Sequence, residues 1–466
     1  MTDTTQSTGS AARNAARNAV VVGMGRTGLS AARHLQRCGY RIAVTDSRET
    51  PPELASVKAL GSGIVTRTGG FDVRLLEQAD MVVTSPGVAL DDPFFVQARA
   101  RGLDIVGDIE LFARSADAPV VGITGTNGKS TVTTLLGRMA ERAGVRVRVG
   151  GNLGQPALDL LDRGPTDLYV LELSSFQLDT THSLKLKAAV VLNVSADHMD
   201  RYATLRHYAD SKARIFANSE MAVVNADEPE VTRMPRAGQR VISFSLNGPA
   251  DFSLVTPPSD QQPWLARRGA ALLPVASLRI SGRHNAANAL ATLALGDALR
   301  LPLAPMLEEL REFPGLPHRA QWVADFGGVR YVNDSKGTNV GATLAAVSGL
   351  EGPLVVIAGG DGKGQDFSPL AESFRGKVRA AVLLGRDAGL IETALAGICH
   401  TARVATMEDA VLAAARFAQA GDTVLLSPAC SSLDMFRDYT QRGNAFAAAV
   451  QGLTPSEHSG ERERGR

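Results

Sequence analysis

Three times along the chain a short apolar run breaks into a glycine-rich turn and gives way to an amphipathic stretch. The run Ala19 to Val22 opens into Gly23-Met24-Gly25-Arg26-Thr27-Gly28. The run Ala118 to Ile123 opens into Thr124-Gly125-Thr126-Asn127-Gly128-Lys129-Ser130-Thr131. The run Pro353 to Ala358 opens into Gly359-Gly360-Asp361-Gly362-Lys363. A continuous apolar run suits a strand buried on both faces, and a tight strand-to-helix turn favours glycine. Similar runs stand at 41–46, 79–85, 103–106, 167–173, 188–193, 222–225, 380–384 and 423–427. The alternation predicts an α/β fold built on open, mostly parallel sheets. Boundaries fall near Gly107 and at Pro314-Gly315-Leu316-Pro317, which gives regions 1–107, 108–315 and 316–453. Residues 249–274, rich in Pro, Gln and Ser, read as a hairpin or loop insertion. The charged, Gly/Ser-rich end, 454–466, reads as a disordered tail.

Length agrees with this division, since 466 residues make about three domains at ~150 residues each. Lys plus Arg number 49 and Asp plus Glu 48, so the formal charge is 49 − 48 = +1. A broad basic face for nucleic acid is thereby excluded, although a local anion site is not. Cys38, Cys399 and Cys430 lie far apart and no CxxC occurs, which points to a reducing compartment without disulfides or a cysteine zinc site. No stretch approaches the ~20 apolar residues of a membrane span. Residues 1–18 have no apolar signal core, so a cytoplasmic location without membrane insertion is expected.

The glycine turns carry the first candidate chemistry. Gly23-x-Gly25-x-x-Gly28 follows a strand, and Asp46 ends the next strand 18 residues after Gly28. That spacing fits a nucleotide-diphosphate loop with an acid for a ribose hydroxyl, or simply a tight turn. Gly125 to Thr131 is the stronger signal. Backbone N–H groups would wrap a phosphate, Lys129 would neutralise it, and Ser130 or Thr131 would reach Mg²⁺. The strict phosphate-loop pattern is not met, because its first glycine position holds Ile123. Glu172, at a strand end in the same region, can hold Mg²⁺ or pair with a neighbouring cation. His198, in Asn193-Val194-Ser195-Ala196-Asp197-His198, can offer a ring nitrogen to metal oriented by Asp197. Asn285 and Asn288 are i, i+3 on one helix face, and an Asn amide matches the N6/N7 edge of adenine. Helix capping would explain one of the two. By itself Lys212 reads as a solvated helix-face lysine. Polar loops at His318-Arg319, Asn333 to Asn339, Asp361 to Lys363 and Ser427 to Ser432 suggest a ligand edge in the third region.

Taken together, the motifs resemble the Mur ligase family of bacterial peptidoglycan synthesis over about residues 18–452. They are Gly125 to Thr131, Leu171-Glu-Leu-Ser-Ser-Phe-Gln177, Asp197-His-Met-Asp-Arg201, Ser281-Gly-Arg-His-Asn285, Gly315-Leu-Pro-His-Arg319, Asn333-Asp-Ser-Lys336 and Leu426-Ser-Pro-Ala-Cys430. The resemblance implies a Rossmann-like N-terminal domain that binds a UDP substrate. A central P-loop ATPase-type domain and a Rossmann-like C-terminal amino-acid domain would follow. It assigns Arg26, Thr27, Asp46, Ser47 and Arg48 to the uridine nucleotide, and Asn152 and Gln177 to the sugar-peptide. Asn285, Asn288, Arg319, Asp334 and Lys336 would serve ATP. Thr338, Lys363, Ser432 and Tyr439 would hold the amino acid, with Tyr439 standing where the family has Phe. Lys212 would be a carbamylated lysine, the reverse of its bland reading.

The implied chemistry is ATP-dependent amide formation. The alanyl carboxylate of UDP-N-acetylmuramoyl-L-alanine attacks the γ-phosphate, and D-glutamate's amine then displaces phosphate from the acyl phosphate. Such a site must neutralise clustered negative charge, with Mg²⁺ and Lys129. His198 or a water is a candidate base for the amine. A monomer is expected. Three rivals stand beside this reading. A sibling ligase would add another amino acid, including L-glutamate, although the Asp-Asn-Pro of the tripeptide-forming sibling does not occur. An NAD-dependent oxidoreductase on the Gly23 turn, or a non-catalytic nucleotide switch, would differ more deeply.

Overall fold

The computed structural model describes residues 17–280, 282–350 and 352–453. Ser281 of the fourth motif and the tail expected at 454–466 lie outside the described residues. The chain forms two compact units, the first of which runs to Ala116 and takes in residues 154–164 and 176–184. Its sheet is entirely parallel, in the order Val65–Arg67, Arg41–Thr45, Asn18–Val22, Met81–Thr84, Asp104–Gly107. Asn18–Val22 sits where the order reverses, so the Gly23 turn leaves at the topological switch point. Val20, Val22 and Val82 pack with Phe94 and Phe95 beneath it. The two later segments are tied in by side chains. Ser30 Oγ donates to Asp159 at 2.6 Å, and the His182 and Ser183 amides both donate to Glu110 at 2.8 Å.

Two sheets make the second unit. The first runs Ala270–Pro274, Trp264–Arg267, Phe252–Val255, Arg240–Ser245, Met221–Asn225, Ala188–Val191, Val120–Thr124, Leu168–Glu172, Val147–Gly151. All its neighbours are parallel except the two pairs made by Trp264–Arg267. Residues 249–274 thus form three strands that widen the sheet, with the expected hairpin at its outer edge. Helices Lys129–Arg142 and Arg283–Ala298 share one buried apolar cluster with this sheet. The other sheet runs Gln321–Phe326, Val329–Asn333, Thr423–Leu426, Leu354–Gly359, Val378–Leu384, His400–Arg403, antiparallel only at its first pair. Apolar clusters cover both of its faces. Six strands are missing from the apolar-run reading: 65–67, 147–151, 240–245, 321–326, 329–333 and 400–403. Most are short or lie at the edge with polar outer positions, as where Trp322 is 59% exposed. Among the described residues no helix is long and apolar enough to cross a membrane.

Glycines 25 and 28 do different work. A Cβ at Gly28 would stand 1.8 Å from the Gly23 carbonyl oxygen, whereas one at Gly25 meets nothing within 4 Å. Gly28 lets helix Arg26–Arg37 press against its strand, while Gly25 leaves open space beside the turn. Gly28→Ala is therefore expected to destabilise the first unit by more than about 2 kcal/mol. Gly25→Ala should stay within about 0.5 kcal/mol. Amide hydrogen exchange over Asn18–Val22 distinguishes the two; equal protection in both variants would remove the packing role from Gly28.

Candidate active site

Strand Val120–Thr124 ends in the phosphate-type loop, and Leu168–Glu172 and Ala188–Val191 flank it in parallel. Gly125 and Gly128 adopt φ of +148° and +85°, which suit glycine. A Cβ at Gly128 would lie 2.4 Å from Asn288 Oδ1, so the loop and the asparagine helix approach closely. The loop is braced from residues 193–195. Asn127 N–H donates to Asn193 Oδ1 at 2.8 Å, Asn193 Nδ2 donates to the Asn127 carbonyl, and Ser195 N–H donates to Thr126 Oγ1 at 3.0 Å. Lys129 Nζ curls back to the Gly125 and Thr126 carbonyls at 2.9 and 2.7 Å. Burial lowers its pKa, Glu172 and Asp197 pull the other way, and Arg319 and Lys363 lower it further.

Residues expected to serve ATP converge on one cleft, lined among others by Thr131, Asn285, Asn288, Arg319, Asp334 and Lys336. Asn288 Nδ2 donates to Asn285 Oδ1 at 3.2 Å, which fixes the pair. Arg319 donates to Ser130 Oγ at 2.8 Å and so joins the third sheet's entry loop to the phosphate-type loop. Asp334 accepts from Ser427 Oγ and Ala320 N–H; burial outweighs these bonds and pushes its carboxyl up to about 6. Burial, with Arg319 close by, pushes the Lys336 ammonium down to about 7. That ammonium lies 3.9 Å from the centre of the Tyr439 ring.

Glu172 is 3% exposed. Its Oε1 accepts from Asn152 Nδ2 at 2.7 Å, and its buried Oε2 has no hydrogen-bond partner. Asn152, expected on the sugar-peptide, therefore has its amide on Glu172 here. His198 takes a left-handed φ of 58°, with Nε2 3.7 Å from Asp197. Burial lowers its pKa to about 4 against the pull of Asp197, so the ring is neutral at neutral pH. Lys212 is 1% exposed, which overturns the solvated-face reading. It sits at the inward side of helix Leu205–Ala213, donates to the Gly125 carbonyl at 2.9 Å and faces the Tyr208 ring at 4.2 Å. Helical periodicity alone gave no sign of that, because a lone Lys near a helix end usually faces water. Lys363, with φ of 54°, pairs with Asp197 at 3.1 Å. Ser432 is buried, and the Thr338 amide donates to the Lys336 carbonyl.

Arg26, Thr27, Asp46, Ser47, Arg48 and Gln177 belong to the first unit. Asp46 is not free to accept from a ribose. Oδ1 takes Arg48 N–H and Nε, and Oδ2 takes Met24 N–H and an Arg48 terminal nitrogen, at 2.6–2.9 Å. Four donors fill a carboxylate's capacity. Asp46 instead braces the Gly23 turn and aims Arg48, which is half exposed. The Gln177 amide donates to buried Asp108 at 3.0 Å. Sequence reasoning missed Asn193 and Asn225, which line the same cleft, Tyr208, which faces Lys212, and Asn339, which donates to Asp197. Asn193 and Asn339 stood inside quoted motifs, but nothing in their spacing separated them from ordinary turn asparagines.

Comparison with known proteins agrees with this geometry. Residues 17–107 match the Mur ligase MurD-like N-terminal domain, 123–296 the Mur ligase middle domain and 318–430 the Mur ligase glutamate ligase domain. The chain is 51% identical to the UDP-N-acetylmuramoylalanine–D-glutamate ligase of Nitrosococcus oceani, over 94% of this chain and 97% of that protein. It is 52% identical to the protein of that name from Pseudomonas savastanoi pv. phaseolicola, over 93% and 98%. Among solved structures it shares its fold with UDP-N-acetylmuramate-alanine ligase MurC from Thermotoga maritima. There the TM-score is 0.60 at 19% identity, covering 93% of this chain and 99% of that one. A pseudomurein peptide ligase type C from Methanothermus fervidus aligns with the same score at 18% identity, over 94% and 100%. With three domain families matched in order and half the residues identical along nearly its whole length, the chain belongs to the Mur ligase family, on the branch of the UDP-N-acetylmuramoylalanine–D-glutamate ligases.

Proposed function

We propose that this chain joins D-glutamate to UDP-N-acetylmuramoyl-L-alanine at the expense of ATP, in peptidoglycan precursor synthesis. Residues 1–107 would take the UDP substrate, 108–315 ATP and 316–453 the amino acid, in the cytoplasm. One observation carries the ATP reading. The phosphate-type loop, the Asn285–Asn288 pair and the cations Arg319 and Lys336 share a single cleft. Kinship at 51% identity carries the acceptor and the amino acid. It leaves no place for the oxidoreductase or switch readings.

In this reading Asn285 and Asn288 flank the adenine, and Gly125 to Thr131 wrap the phosphates. Lys129 leaves its two carbonyls for the β- and γ-phosphate oxygens. The alanyl carboxylate displaces ADP from the γ-phosphorus, giving an acyl phosphate. Glutamate's neutral amine then attacks the acyl carbon, its nitrogen gives up a proton to water, and phosphate leaves with the C–O bond electrons. Lys363, Thr338, Ser432 and Tyr439 hold glutamate. Arg48, held by Asp46, and the Arg26, Thr27 and Ser47 turn take the uridine diphosphate, with Gln177 and Asn152 on the sugar-peptide.

A hard divalent cation fits the donors present. Glu172 keeps a buried carboxylate oxygen without a partner, the neutral His198 ring lies in the loop after strand Ala188–Val191, and the Ser130 hydroxyl lies in the first turn of helix Lys129–Arg142. Among the described residues no cluster of three or more His, Cys, Asp or Glu could hold a metal, so further oxygens must come from elsewhere. Phosphate supplies some. Lys212 supplies others if its ammonium loses a proton and the resulting amine adds CO₂ and loses a second, which turns a cation into an anion with two hard oxygens. Bound Mg²⁺ would offset charge on the phosphates and the acyl oxygen.

Phosphate release, coupled to an indicator enzyme, is expected only when UDP-N-acetylmuramoyl-L-alanine, ATP and D-glutamate are all present. Equal turnover with L-glutamate would overturn the assignment of the amino acid. Lys129→Ala and Lys212→Arg should each lose about 10²-fold or more of kcat, the scale of removing a charge-stabilising group. Arginine stays protonated and cannot carry CO₂. Acetate should partly restore Lys212→Ala; a Lys212→Arg enzyme with near-full activity would sink the carbamate. The Lys336 ammonium binds phosphate in its charged form and loses that charge as pH rises through about 7. Hence kcat/KM for ATP should fall above neutrality, and Lys336→Arg should move that limb upward. An unchanged limb in Lys336→Arg assigns it to another group.

A further inference from the structure

Asn339 is 2% exposed and stands at the start of helix Val340–Gly349 in the third sheet's region. Its side chain does two separable things. As a helix cap, Oδ1 accepts from Ala342 N–H at 2.8 Å. Its amide also reaches the central region, where Nδ2 donates to Asp197 Oδ2 at 3.1 Å. A pair of longer contacts, 3.3 and 3.4 Å, exchanges donors with the Asn127 side chain of the phosphate-type loop. Asp197 Oδ1 in turn accepts from Lys363 Nζ at 3.1 Å and from His198 N–H at 3.0 Å. The first turn of the helix is seated closely here, since a Cβ at Gly341 would lie 3.0 Å from Ser195 Oγ.

We infer that Asn339 is a positioning residue which aligns Asp197, and through it Lys363, and links their placement to the phosphate-type loop through Asn127. The reasoning starts from the carboxylate. Asp197 is buried and must be held by donors; Lys363 and Asn339, both from the third region, take one oxygen each. Without the Asn339 donor, Asp197 Oδ2 is left short of a partner and the carboxylate turns toward other donors. The ammonium that leans on Oδ1 then loses its fixed direction. Asn127 faces the other side of the same amide, so a phosphate that orders the loop also orders the amide. ATP and the amino acid would thus communicate without touching. The inference rests on the reading of Lys363 as part of the amino-acid site.

Aspartate and serine both cap helices well, so Asn339→Asp and Asn339→Ser preserve the bond to Ala342 while removing the donor to Asp197. Asn339→Asp also sets two carboxylates face to face. In the full-length enzyme, the KM for D-glutamate should rise about tenfold in Asn339→Ser and further in Asn339→Asp, the worth of one charge-assisted hydrogen bond. The KM for UDP-N-acetylmuramoyl-L-alanine should stay within about twofold in both variants. The melting temperature of Asn339→Ser should fall by only a few degrees, and that of Asn339→Asp, with two carboxylates buried together, by more. Lys363→Met serves as the control and should raise the glutamate KM at least as much. An unchanged glutamate KM in both Asn339 variants, beside a raised one in Lys363→Met, overturns the positioning role. So does a joint shift of every KM with the melting temperature, which marks a structural role only. If Lys363→Met leaves the glutamate KM unchanged, the reading of Lys363 fails, and the inference with it.

Discussion

Ammonium and guanidinium groups in a low-dielectric cleft need counter-charge, and around the Gly125 loop the protein supplies too little of it. Lys129, Lys336, Lys363 and Arg319 act on one another there, with Glu172, Asp197 and Asp334 as the nearby carboxyl groups. Burial lowers Lys129 and takes Lys336 to about 7, while Asp334 is raised to about 6. Burial therefore weakens the charged forms of Lys336 and Asp334. Carbonyl oxygens stand in for missing anions, as Gly125 and Thr126 do for Lys129. In the proposed reading a triphosphate would supply that counter-charge, with Lys129 exchanging its two carbonyls for phosphate oxygens.

That arrangement depends on backbones coming close. Lys129 and Glu172 come together because neighbouring parallel strands end at one level, with Ile123 in register with Glu172 and with Val190. Gly125 and Gly128 then let the loop pass beneath Leu192 and Asn288 without side chains of its own in the way. Residues 193–195 grip the loop by both main chain and side chain, so its shape is set before any ligand arrives. Preorganisation of this kind matters for phosphoryl transfer, where position and charge supply most of the catalysis.

Much of the fold was legible in the sequence because buried parallel strands are written as apolar runs. Strands 18–22, 81–84, 120–124, 168–172, 188–191, 354–359 and 423–426 are all of this type. Strands such as Gln321–Phe326 were not legible, since an edge strand half in water carries a mixed pattern. The phosphate-type loop was readable from spacing because glycine and lysine are needed at fixed offsets. Lys212 was not, since its burial is decided by how a helix packs and not by its own neighbours in sequence. Its 1% exposure overturns the solvated-face reading, and carbamylation there is a proposal. Asp46 went the other way. Its spacing matched a ribose acceptor, but no spacing rule shows that Arg48 and Met24 fill all its lone pairs.

The same distinction separates residues that touch ligands from residues that aim them. Arg48, Glu172 and Lys363 each lean on a partner that restrains them: Asp46, which also braces the Gly23 turn, Asn152, and Asp197, which also takes the His198 amide. A long side chain loses conformational freedom when it binds, and a partner that already restrains it removes much of that loss from the binding step. Restraint also carries a cost, because each held group must exchange or share its partner when the ligand enters. Lys363 shows the balance. Its ammonium can keep Asp197 on one side and accept a substrate carboxylate on another, since it has three donors. Asp197 is fixed from the far side by Asn339, so it cannot follow the lysine toward the ligand. In the proposed reading Lys363 would therefore meet glutamate from a position restrained by Asp197 and Asn339.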